Sequence, residues 1–295
     1  MHAPPQDFGR AFLIGILLNA GFIIAQVIYG LKANSVALLA DAGHNAGDVL
    51  SLILAWGASR LTKRLPSPRF TYGLRGSSIL ASLTNAVLLL VVVGGLAWES
   101  ITRFASPEQS ASGTVIAIAL LGVAINGVTA LLFFKGRKED LNIKAAYLHM
   151  LADAGISLGV ALSGVAVMAT GWLWIDPLAG LAVSLVIIVG TVSLLKESLA
   201  MALQAVPEGI DPVSVRAILK NLPGVREVHD LHIWPISTTD IACSVHLVMP
   251  GGHPGDAFIR DIGCLLGGQY KICHTTVQIE TGDGGECPLA SDKVI

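Results

Sequence analysis

The sequence predicts a membrane protein of α-helices followed by a small cytosolic α+β domain. Three observations indicate this fold class: 53% of the 295 residues are hydrophobic, only 14% are charged, and long apolar segments precede a more polar C-terminal part. Soluble domains usually contain about a quarter charged residues, so part of the apolar surface is expected to face lipid. A net charge of −2 gives no indication of a nucleic-acid partner. We expect a transmembrane domain over residues 1–200, a cytosolic domain over 201–282 and a flexible tail over 283–295.

Six segments are long enough to cross a bilayer, which requires about 20 apolar residues. They are residues 11–31, 36–59, 78–98, 113–134, 145–170 and 174–195. The first is interpreted as a retained helix because its apolar run is long and no small-residue cleavage site follows it. Basic residues cluster in alternate connections: Arg60, Lys63, Arg64, Arg69 and Arg75 in one, and Lys135, Arg137, Lys138 and Lys144 around another. This alternation predicts six crossings with both termini in the cytoplasm.

The cytosolic part shows the patterns of an ordinary small domain. Asp211 is a predicted N-cap, with Pro212 at the first helical position. Helices are predicted over residues 212–222 and 255–267, and strands over 225–234, 240–249 and 275–280. The order αββαβ predicts a small open sheet with helices on one face, similar to a ferredoxin-like module. All four cysteines lie in this part, where cytosolic thiols stay reduced, so no disulfide framework is expected.

Two predicted spans each contain a histidine followed four residues later by an aspartate. These are His44 and Asp48 in the second span, and His149 and Asp153 in the fifth. A spacing of four places both side chains on one helical face, so two such helices together offer the four nitrogen and oxygen ligands of a tetrahedral zinc site. The alternative is a His–Asp hydrogen bond that only stabilises packing. Asp41 lies on nearly the same face, and it either orients a ligand or guides ions toward the site, or has a helix-end or water-facing role.

The cytosolic part contains a second group of candidate metal ligands. They are His229, His232, His246, Cys273, His274 and Glu280. In an antiparallel pair of the first two strands, His229 or His232 would lie near His246, with a third-strand residue completing a metal site. The alternative is that these are ordinary surface side chains. Cys287 has no second cysteine at Cys-x-x-Cys spacing and is not predicted to form a separate thiolate site.

Several longer motifs together resemble those of one protein family. They are Ser-Val-Ala-Leu-Leu-Ala-Asp-Ala-Gly-His over residues 35–44 with Asp48, Tyr72-Gly73, Ala146-Tyr-Leu-His149 with Asp153, Trp174-Ile-Asp-Pro177, and His229-Asp-Leu-His-Ile-Trp234. Over nearly its whole length the chain resembles the cation diffusion facilitators, which are metal-efflux antiporters. The resemblance implies a homodimer with six spans per subunit and a cytosolic ferredoxin-like domain that helps dimerise and binds metal. It also implies export of zinc, in some members with cadmium, cobalt or other divalent ions, in exchange for protons.

The chain departs from the pattern of this family at two places. Relatives often have a basic residue and a glutamate shortly after Tyr-Gly, where this chain has Gly76 and Ser78. Many members also have a histidine-rich loop between spans four and five, whereas residues 135–140 contain no histidine. A metal-collecting loop is therefore not expected, and its absence favours a bacterial plasma membrane. Asp176 is predicted to cap the sixth span.

These observations predict a transporter rather than an enzyme. Zinc is expected to bind the two-His two-Asp site from the cytosol and leave on the other side, where protons displace it. Metal in the cytosolic domain is expected to bias dimer geometry. A passive divalent-metal channel and a metal sensor without transport remain as alternatives. An intramembrane zinc hydrolase would need a catalytic base beside a three-ligand site, and the His-Glu-x-x-His motif of zinc proteases is absent from the sequence.

Overall fold

The N-terminal part of the chain folds into long helices. The computed structural model describes residues 9–134, 141–283 and 287–289. The helices are α1 (Gly9–Ala33), α2 (Val36–Thr62), α3 (Ser77–Ala105), α4 (Ser112–Phe133), α5 (Leu141–Thr170) and α6 (Ile175–Ala202). Each covers the corresponding predicted span, apart from one residue at the end of α4 and one at the start of α6. The basic residues 135–138, the loop 135–140 and most of the predicted tail, 284–286 and 290–295, lie outside the described residues.

Four of the described helices are long and apolar enough to cross a membrane. They comprise α3, residues Ser112–Leu132 of α4, Tyr147–Thr170 of α5, and α6, whereas α1 contributes a shorter apolar stretch, Leu17–Ala33. Large apolar side chains on these helices are exposed, for example Val91 on α3 at 68% and Val189 on α6 at 65%. Such exposure is unfavourable in water and favourable in lipid. The predicted helical membrane part is therefore confirmed, with four strongly apolar helices, while α2 is less apolar because it contains several charged and polar side chains.

The N-terminus of α2 is fixed by a side chain from α6. The Asp176 carboxylate accepts hydrogen bonds from the Ser35 hydroxyl and from the Val36 backbone N–H, the latter at 2.8 Å. A Cβ atom at Gly180 would lie 3.3 Å from the Ala37 nitrogen, so the glycine allows α6 to approach α2 closely. A carboxylate at a helix N-terminus satisfies backbone N–H groups that have no partner within the helix. Asp176, predicted to cap α6 alone, thus lies in the first turn of α6 and also caps α2.

The C-terminal part is a three-stranded sheet with two helices. The elements are α7 (Pro212–Lys220), β1 (Glu227–Pro235), β2 (Ile241–Val248), α8 (Asp256–Tyr270) and β3 (Ile272–Glu280), in the predicted order αββαβ. The strand order is β1-β2-β3, with β1 antiparallel and β3 parallel to the central β2. Asp211 caps α7 as predicted, accepting hydrogen bonds from the backbone N–H groups of Val213 and Ser214 at 3.1 Å.

The two cytosolic helices pack on one face of this sheet. Val215 and Leu219 of α7 and Ile262 and Leu266 of α8 form a buried cluster with the alternate β2 residues Cys243, Val245 and Leu247. Because successive side chains of a strand point to opposite faces, His246 lies on the other face of the sheet. His229 is directly opposite His246 on β1, and Gln278 of β3 is in register with it. The face that α7 and α8 leave free therefore holds the histidines.

The loop between α2 and α3 contacts the turn between β1 and β2. The Arg75 guanidinium lies 2.9 Å from Asp240, and the Thr238 backbone N–H donates to the Ser78 hydroxyl at 3.1 Å. Within the turn, the Ser237 hydroxyl accepts from the Asp240 N–H at 2.8 Å, which holds the Asp240 backbone in place. Ser78 belongs to one of the two places where the chain departs from the family pattern, and its hydroxyl thus contacts the turn between β1 and β2.

Candidate metal centres

The two His–Asp pairs meet between α2 and α5. His44 Nε2 lies 3.2 Å from Asp153 Oδ1, and His149 Nε2 lies 3.4 Å from Asp48 Oδ2. The pairing is reversed in sequence order, since the first residue of one pair meets the second residue of the other. The two helices therefore run antiparallel, and both functional faces point at each other. We call His44, Asp48, His149 and Asp153 the quartet.

The spacing of the quartet suits a single tetrahedral ion. Nitrogen and oxygen ligands bind zinc at about 2.0–2.2 Å, so two donors on a tetrahedron are about 3.4 Å apart. The donor separations in the quartet are 3.2 Å, 3.4 Å and, between His149 Nε2 and Asp153 Oδ2, 3.7 Å. The donor atoms of His44, Asp48 and Asp153 all lie within 4.8 Å of one another. His149 is not in this group of three, and it lies beside it through its approaches to Asp48 and Asp153.

The quartet is buried at one end and open at the other. The Asp153 side chain is 2% exposed and that of His44 16%, whereas Asp48 and His149 are exposed by 31% and 43%. Asp48 and His149 are thus the less buried members of the quartet. Glycines on α2 allow α3 to pack tightly behind the site, because a Cβ at Gly47 would lie 2.6 Å from the Leu89 side chain.

Asp41 lies behind the quartet in a separate set of hydrogen bonds. It is fully buried, and its Oδ2 accepts from Gln26 Nε2 of α1 at 2.6 Å and from the Ser157 hydroxyl of α5 at 3.0 Å. Its Oδ1 is buried and has no hydrogen-bond partner among the described residues. The described hydrogen bonds of Asp41 thus lead to neutral side chains of α1 and α5 and not to a histidine of the quartet.

A second cluster lies on the free face of the cytosolic sheet. Glu280 connects two histidines: its carboxylate oxygens lie 3.4 Å from His229 Nε2 and 3.1 Å from His246 Nδ1. The Cys287 sulfur lies 3.9 Å from His246 Nδ1. One donor atom from each of these four residues falls within 4.8 Å of the others. Two imidazoles, a carboxylate and a thiol form a donor set that fits zinc, and we call these four residues the cytosolic cluster.

A bulge in β1 adds Asp230 to the edge of this cluster. The register of β1 shifts between His229 and His232, and Asp230 has a φ of 49°, in the left-handed region that aspartate tolerates. Its carboxylate lies 3.3 Å from His246 Nε2 and 2.7 Å from His232 Nε2. His232 therefore reaches the cytosolic cluster only through Asp230. Such a carboxylate behind a histidine fixes the ring orientation that a metal ligand needs.

Two of the candidate ligands lie elsewhere. Cys273 and His274 are at the start of β3, beside Ile241 and Ala242 of β2, while Glu280 is at its end, beside Val248. The Cys273 thiol contacts the Ile241 carbonyl oxygen at 3.4 Å, and the His274 ring packs edge-on against Tyr72 with 5.4 Å between centroids. The structure thus brings His229, His246 and Glu280 together and separates Cys273 and His274 from them.

Cys287 lies beside His246, and the described residue Gly282 between β3 and Cys287 has a backbone conformation that favours glycine. Gly282 has a φ of 76°, and a Cβ there would lie 2.5 Å from the Arg226 guanidinium and 2.9 Å from Val248. Glycine is the residue that fits such a turn. Motif spacing alone does not reveal Cys287 as a partner of the histidines. The glycines that follow Glu280 are the only sequence signal of a turn at this point.

Glu280 is in the ionised form that a metal ligand requires. Burial acts to raise the pKa of its carboxyl, but the hydrogen bonds with Cys287 and Gln278 and the nearby His229 and His246 outweigh burial and hold this pKa below its ordinary value. Glu280 is consequently ionised at neutral pH. Metal ligation requires the ionised form of a carboxyl, so no proton has to be removed from Glu280 when a metal binds.

Comparison with known proteins places both parts of the chain in one family. The family model for the cation efflux transmembrane domain matches residues 12–201, and that for the cytoplasmic domain of cation efflux proteins matches residues 207–282. The solved structure of the metal-bound C-terminal domain of the CzcD transporter from Cupriavidus metallidurans covers 24% of this chain and 99% of that domain, with 28% identity and a TM-score of 0.23.

Curated relatives are similar over almost the full length. The chain is 34% identical to the zinc transporter ZitB of Shigella flexneri, over 95% of this chain and 90% of the relative. It is 32% identical to the cadmium, cobalt and zinc/H(+)-K(+) antiporter of Bacillus velezensis, over 92% and 88%. It is also 32% identical to the metal cation efflux system protein CzcD of C. metallidurans, over 95% and 89%. The chain is an integral membrane protein, and it belongs to the cation diffusion facilitator family of cation efflux transporters.

Proposed function

We propose that this protein exports zinc from the cytoplasm in exchange for protons, with the quartet as its transport site. The observation that supports this most directly is the reversed pairing of the two His–Asp pairs, with donor separations of 3.2 Å and 3.4 Å, close to that of two donors in a tetrahedral zinc site. Relatives named as zinc transporters and as a cadmium, cobalt and zinc antiporter support the same class of substrate. Cadmium and cobalt are further candidate substrates.

The proton coupling follows from the chemistry of the ligands. A histidine must be neutral and an aspartate ionised to bind a metal ion, so zinc binding displaces protons and protonation releases zinc. An imidazole has an ordinary pKa of about 6.5, close enough to physiological pH for either direction. In the proposed cycle, the quartet opens alternately to the cytosol and to the outside, as is general for transporters whose site lies at mid-membrane.

The proposed arrangement has six membrane crossings, α1 to α6, with both termini in the cytoplasm. We propose domain limits of 1–200 for the membrane part, 201–282 for a ferredoxin-like cytosolic domain and 283–295 for the tail. The protein would act as a homodimer in a bacterial inner membrane. The cytosolic cluster would bind zinc as a regulatory ion, which biases the dimer geometry and is not itself transported. Its mixed nitrogen, oxygen and sulfur donors support this assignment.

Reconstituted vesicles provide the test of the transport site. Zinc uptake into vesicles of purified protein is expected to depend on an imposed pH difference. Because protons leave as zinc enters, the lumen should become more alkaline in step with zinc uptake. Asp153→Ala is expected to abolish both signals and to lower zinc affinity by more than about 100-fold, since losing an outer partner alone costs about 10- to 100-fold. His253→Ala, at an exposed histidine outside both centres, is the matched control and should transport normally.

Other outcomes point to other functions. Zinc flux that is indifferent to the pH difference would indicate a passive channel, and zinc binding without flux would indicate a sensor. Full transport by Asp153→Ala would contradict the assignment of the quartet.

His246→Ala, in the cytosolic cluster, is expected to weaken transport without abolishing it. Measuring zinc, cadmium and cobalt side by side, in the wild type and in His149→Asp, would rank the substrates.

A further inference from the structure

A buried polar layer lies one helical turn beyond the quartet. Asp41 precedes the quartet by three residues on α2, and Ser157 follows it by four residues on α5; because these helices are antiparallel, both displacements point the same way. Gln26 of α1 and Asn45 complete the layer, since Asn45 Nδ2 donates to Gln26 Oε1 and to the Asp41 carbonyl oxygen, each at 3.0 Å. Three helices therefore surround one carboxylate. We call these four residues the Asp41 layer.

One oxygen of this carboxylate is free. Gln26 and Ser157 both donate to Oδ2, at 2.6 Å and 3.0 Å, whereas Oδ1 is buried without a hydrogen-bond partner among the residues that the structure describes. Buried polar atoms without partners are rare in proteins and call for an explanation such as an absent ligand. A hard metal cation needs several oxygen ligands, and the described part of the Asp41 layer leaves one carboxylate oxygen open. A proton, by contrast, needs only one oxygen atom to bind.

The charge balance also favours a proton. A zinc ion in the quartet neutralises Asp48 and Asp153, so an ionised Asp41 would be a third carboxylate without a counter-charge. No lysine or arginine is among the buried side chains of the described residues. The titratable groups that act on Asp41 are His44 from α2 and Asp153 from α5.

The remaining surroundings of Asp41 are neutral. Its hydrogen-bond partner from α1 is the amide of Gln26, and α4 packs nearby with Gly122, whose Cβ would lie 2.8 Å from the Ser157 hydroxyl. An unpaired carboxylate in such surroundings is unfavourable, and a proton on Oδ1 removes that cost.

We propose that Asp41 is a proton-binding group on the outer side of the quartet, which takes up the counter-transported proton and passes it to the quartet as zinc leaves. This inference rests on the proposed exchange of zinc for protons and on the proposed orientation of α2. In the step, Asp41 Oδ1 forms an O–H bond with a proton from water on the outer side, and one O–H bond of the donating hydronium ion breaks. The Asp41 O–H bond then breaks as the proton forms an N–H or O–H bond with a quartet ligand, which gives up its bond to zinc. Gln26 and Ser157 hold Oδ2 and leave Oδ1 as the accepting atom.

The test compares two modes of transport in the same vesicles. Net zinc movement against protons needs the proton site, whereas exchange of radioactive for unlabelled zinc at equal pH needs only the quartet. Asp41→Asn keeps the size of the side chain and an acceptor oxygen but cannot take up a proton. It is expected to lower proton-coupled zinc flux at least about 10-fold, a modest loss for a positioned proton acceptor. Zinc-for-zinc exchange should stay close to the wild-type rate.

The controls separate this inference from the function on which it rests. Ser157→Ala removes one donor to Oδ2 and leaves the carboxylate, so it should lower proton-coupled flux less than Asp41→Asn does. Unchanged coupling in Asp41→Asn, or an equal loss of both transport modes, would overturn the proton role. A wild-type protein whose zinc flux ignores the pH difference would instead overturn the proposed antiport. Retained zinc-for-zinc exchange shows at the same time that the variant is folded.

Discussion

At the level of single residues, the four cysteines of the cytosolic part have very different surroundings. Cys243 is buried in the core beneath α7 and α8, and burial raises the pKa of its thiol to about 12. Cys264 on α8 and Cys273 on β3 are exposed. Cys287 is half-buried beside His246. Because the thiolate is the reactive form, these surroundings determine which cysteine reacts.

Thiol labelling should distinguish these cysteines at neutral pH. Cys264 and Cys273 are expected to react with a maleimide reagent, whereas Cys243 should stay unlabelled, since a thiol remains protonated at any pH well below its pKa. Cys243 should become reactive only on unfolding or as the pH approaches its pKa of about 12. Mass spectrometry of the labelled peptides gives the measurement.

Zinc should protect Cys287 from the same reagent. If the sulfur binds the ion in the cytosolic cluster, labelling of Cys287 falls when zinc is added and returns when it is chelated. His246→Ala removes a neighbouring ligand and should abolish this protection. Equal labelling of Cys287 with and without zinc in the wild type would show that the thiol is not a ligand.

The two centres differ in how far the sequence could predict them. His44 and Asp48 share a helical face because of a spacing of four, a local rule that applies wherever the helix packs, and the same holds for the pair on α5. Cys287 comes seven residues after the end of β3 and meets His246 through the tertiary fold, and the position of Asp230 depends on a bulge in β1. Local patterns do not encode such turns strongly, so neither residue could be assigned to the cytosolic cluster beforehand.

At the level of helices and strands, the hydrogen bonds between α6 and the start of α2 connect residues that are far apart in sequence. Asp176 accepts from the Ser35 hydroxyl and the Val36 N–H across about 140 positions of the chain. The existence of both helices was predictable from apolar length, because each span needs about 20 apolar residues. The hydrogen-bond partners of the Asp176 carboxylate were not predictable, because they depend on how α6 packs against α2.

Removing this carboxylate should destabilise the membrane part. Asp176→Ala leaves the first N–H groups of α2 without an acceptor, and loss of a helix cap costs about 0.5–2 kcal/mol. We expect the midpoint of thermal unfolding in detergent to fall by about 2–4 °C for each kcal/mol lost. Glu197→Ala provides the control, because it removes an exposed carboxylate from the same helix α6. Equal midpoints for the two variants would contradict the capping role.

At the level of the whole molecule, the distribution of polar side chains explains why the helices differ in apolarity. The strongly apolar helices α3, α4, α5 and α6 expose mainly aliphatic side chains, for which lipid is the favourable surrounding. Helix α2 instead contains the buried Asp41 and Asn45 together with two quartet ligands. Hydropathy therefore identifies α2 poorly, although this helix contributes two of the four residues of the proposed transport site.

The assembled protein should be a dimer in detergent. The match to the cytoplasmic domain of cation efflux proteins, together with the family resemblance, supports two subunits that meet through this domain. The polypeptide mass from light scattering, corrected for detergent, is then expected to be twice the 30.7 kDa of one chain. A mass of one chain at micromolar concentration, with transport intact after reconstitution, would contradict a dimeric functional unit.

The shared anchor at Asp176 limits how access to the quartet can change. The Asp176 carboxylate of α6 accepts two hydrogen bonds at the start of α2, and a Cβ at Gly180 would lie 3.3 Å from the Ala37 nitrogen. Sliding of α2 along α6 would break those bonds at the buried end of the pair. If the proposed alternating access operates, we therefore expect α2 to tilt about this contact rather than to slide along α6.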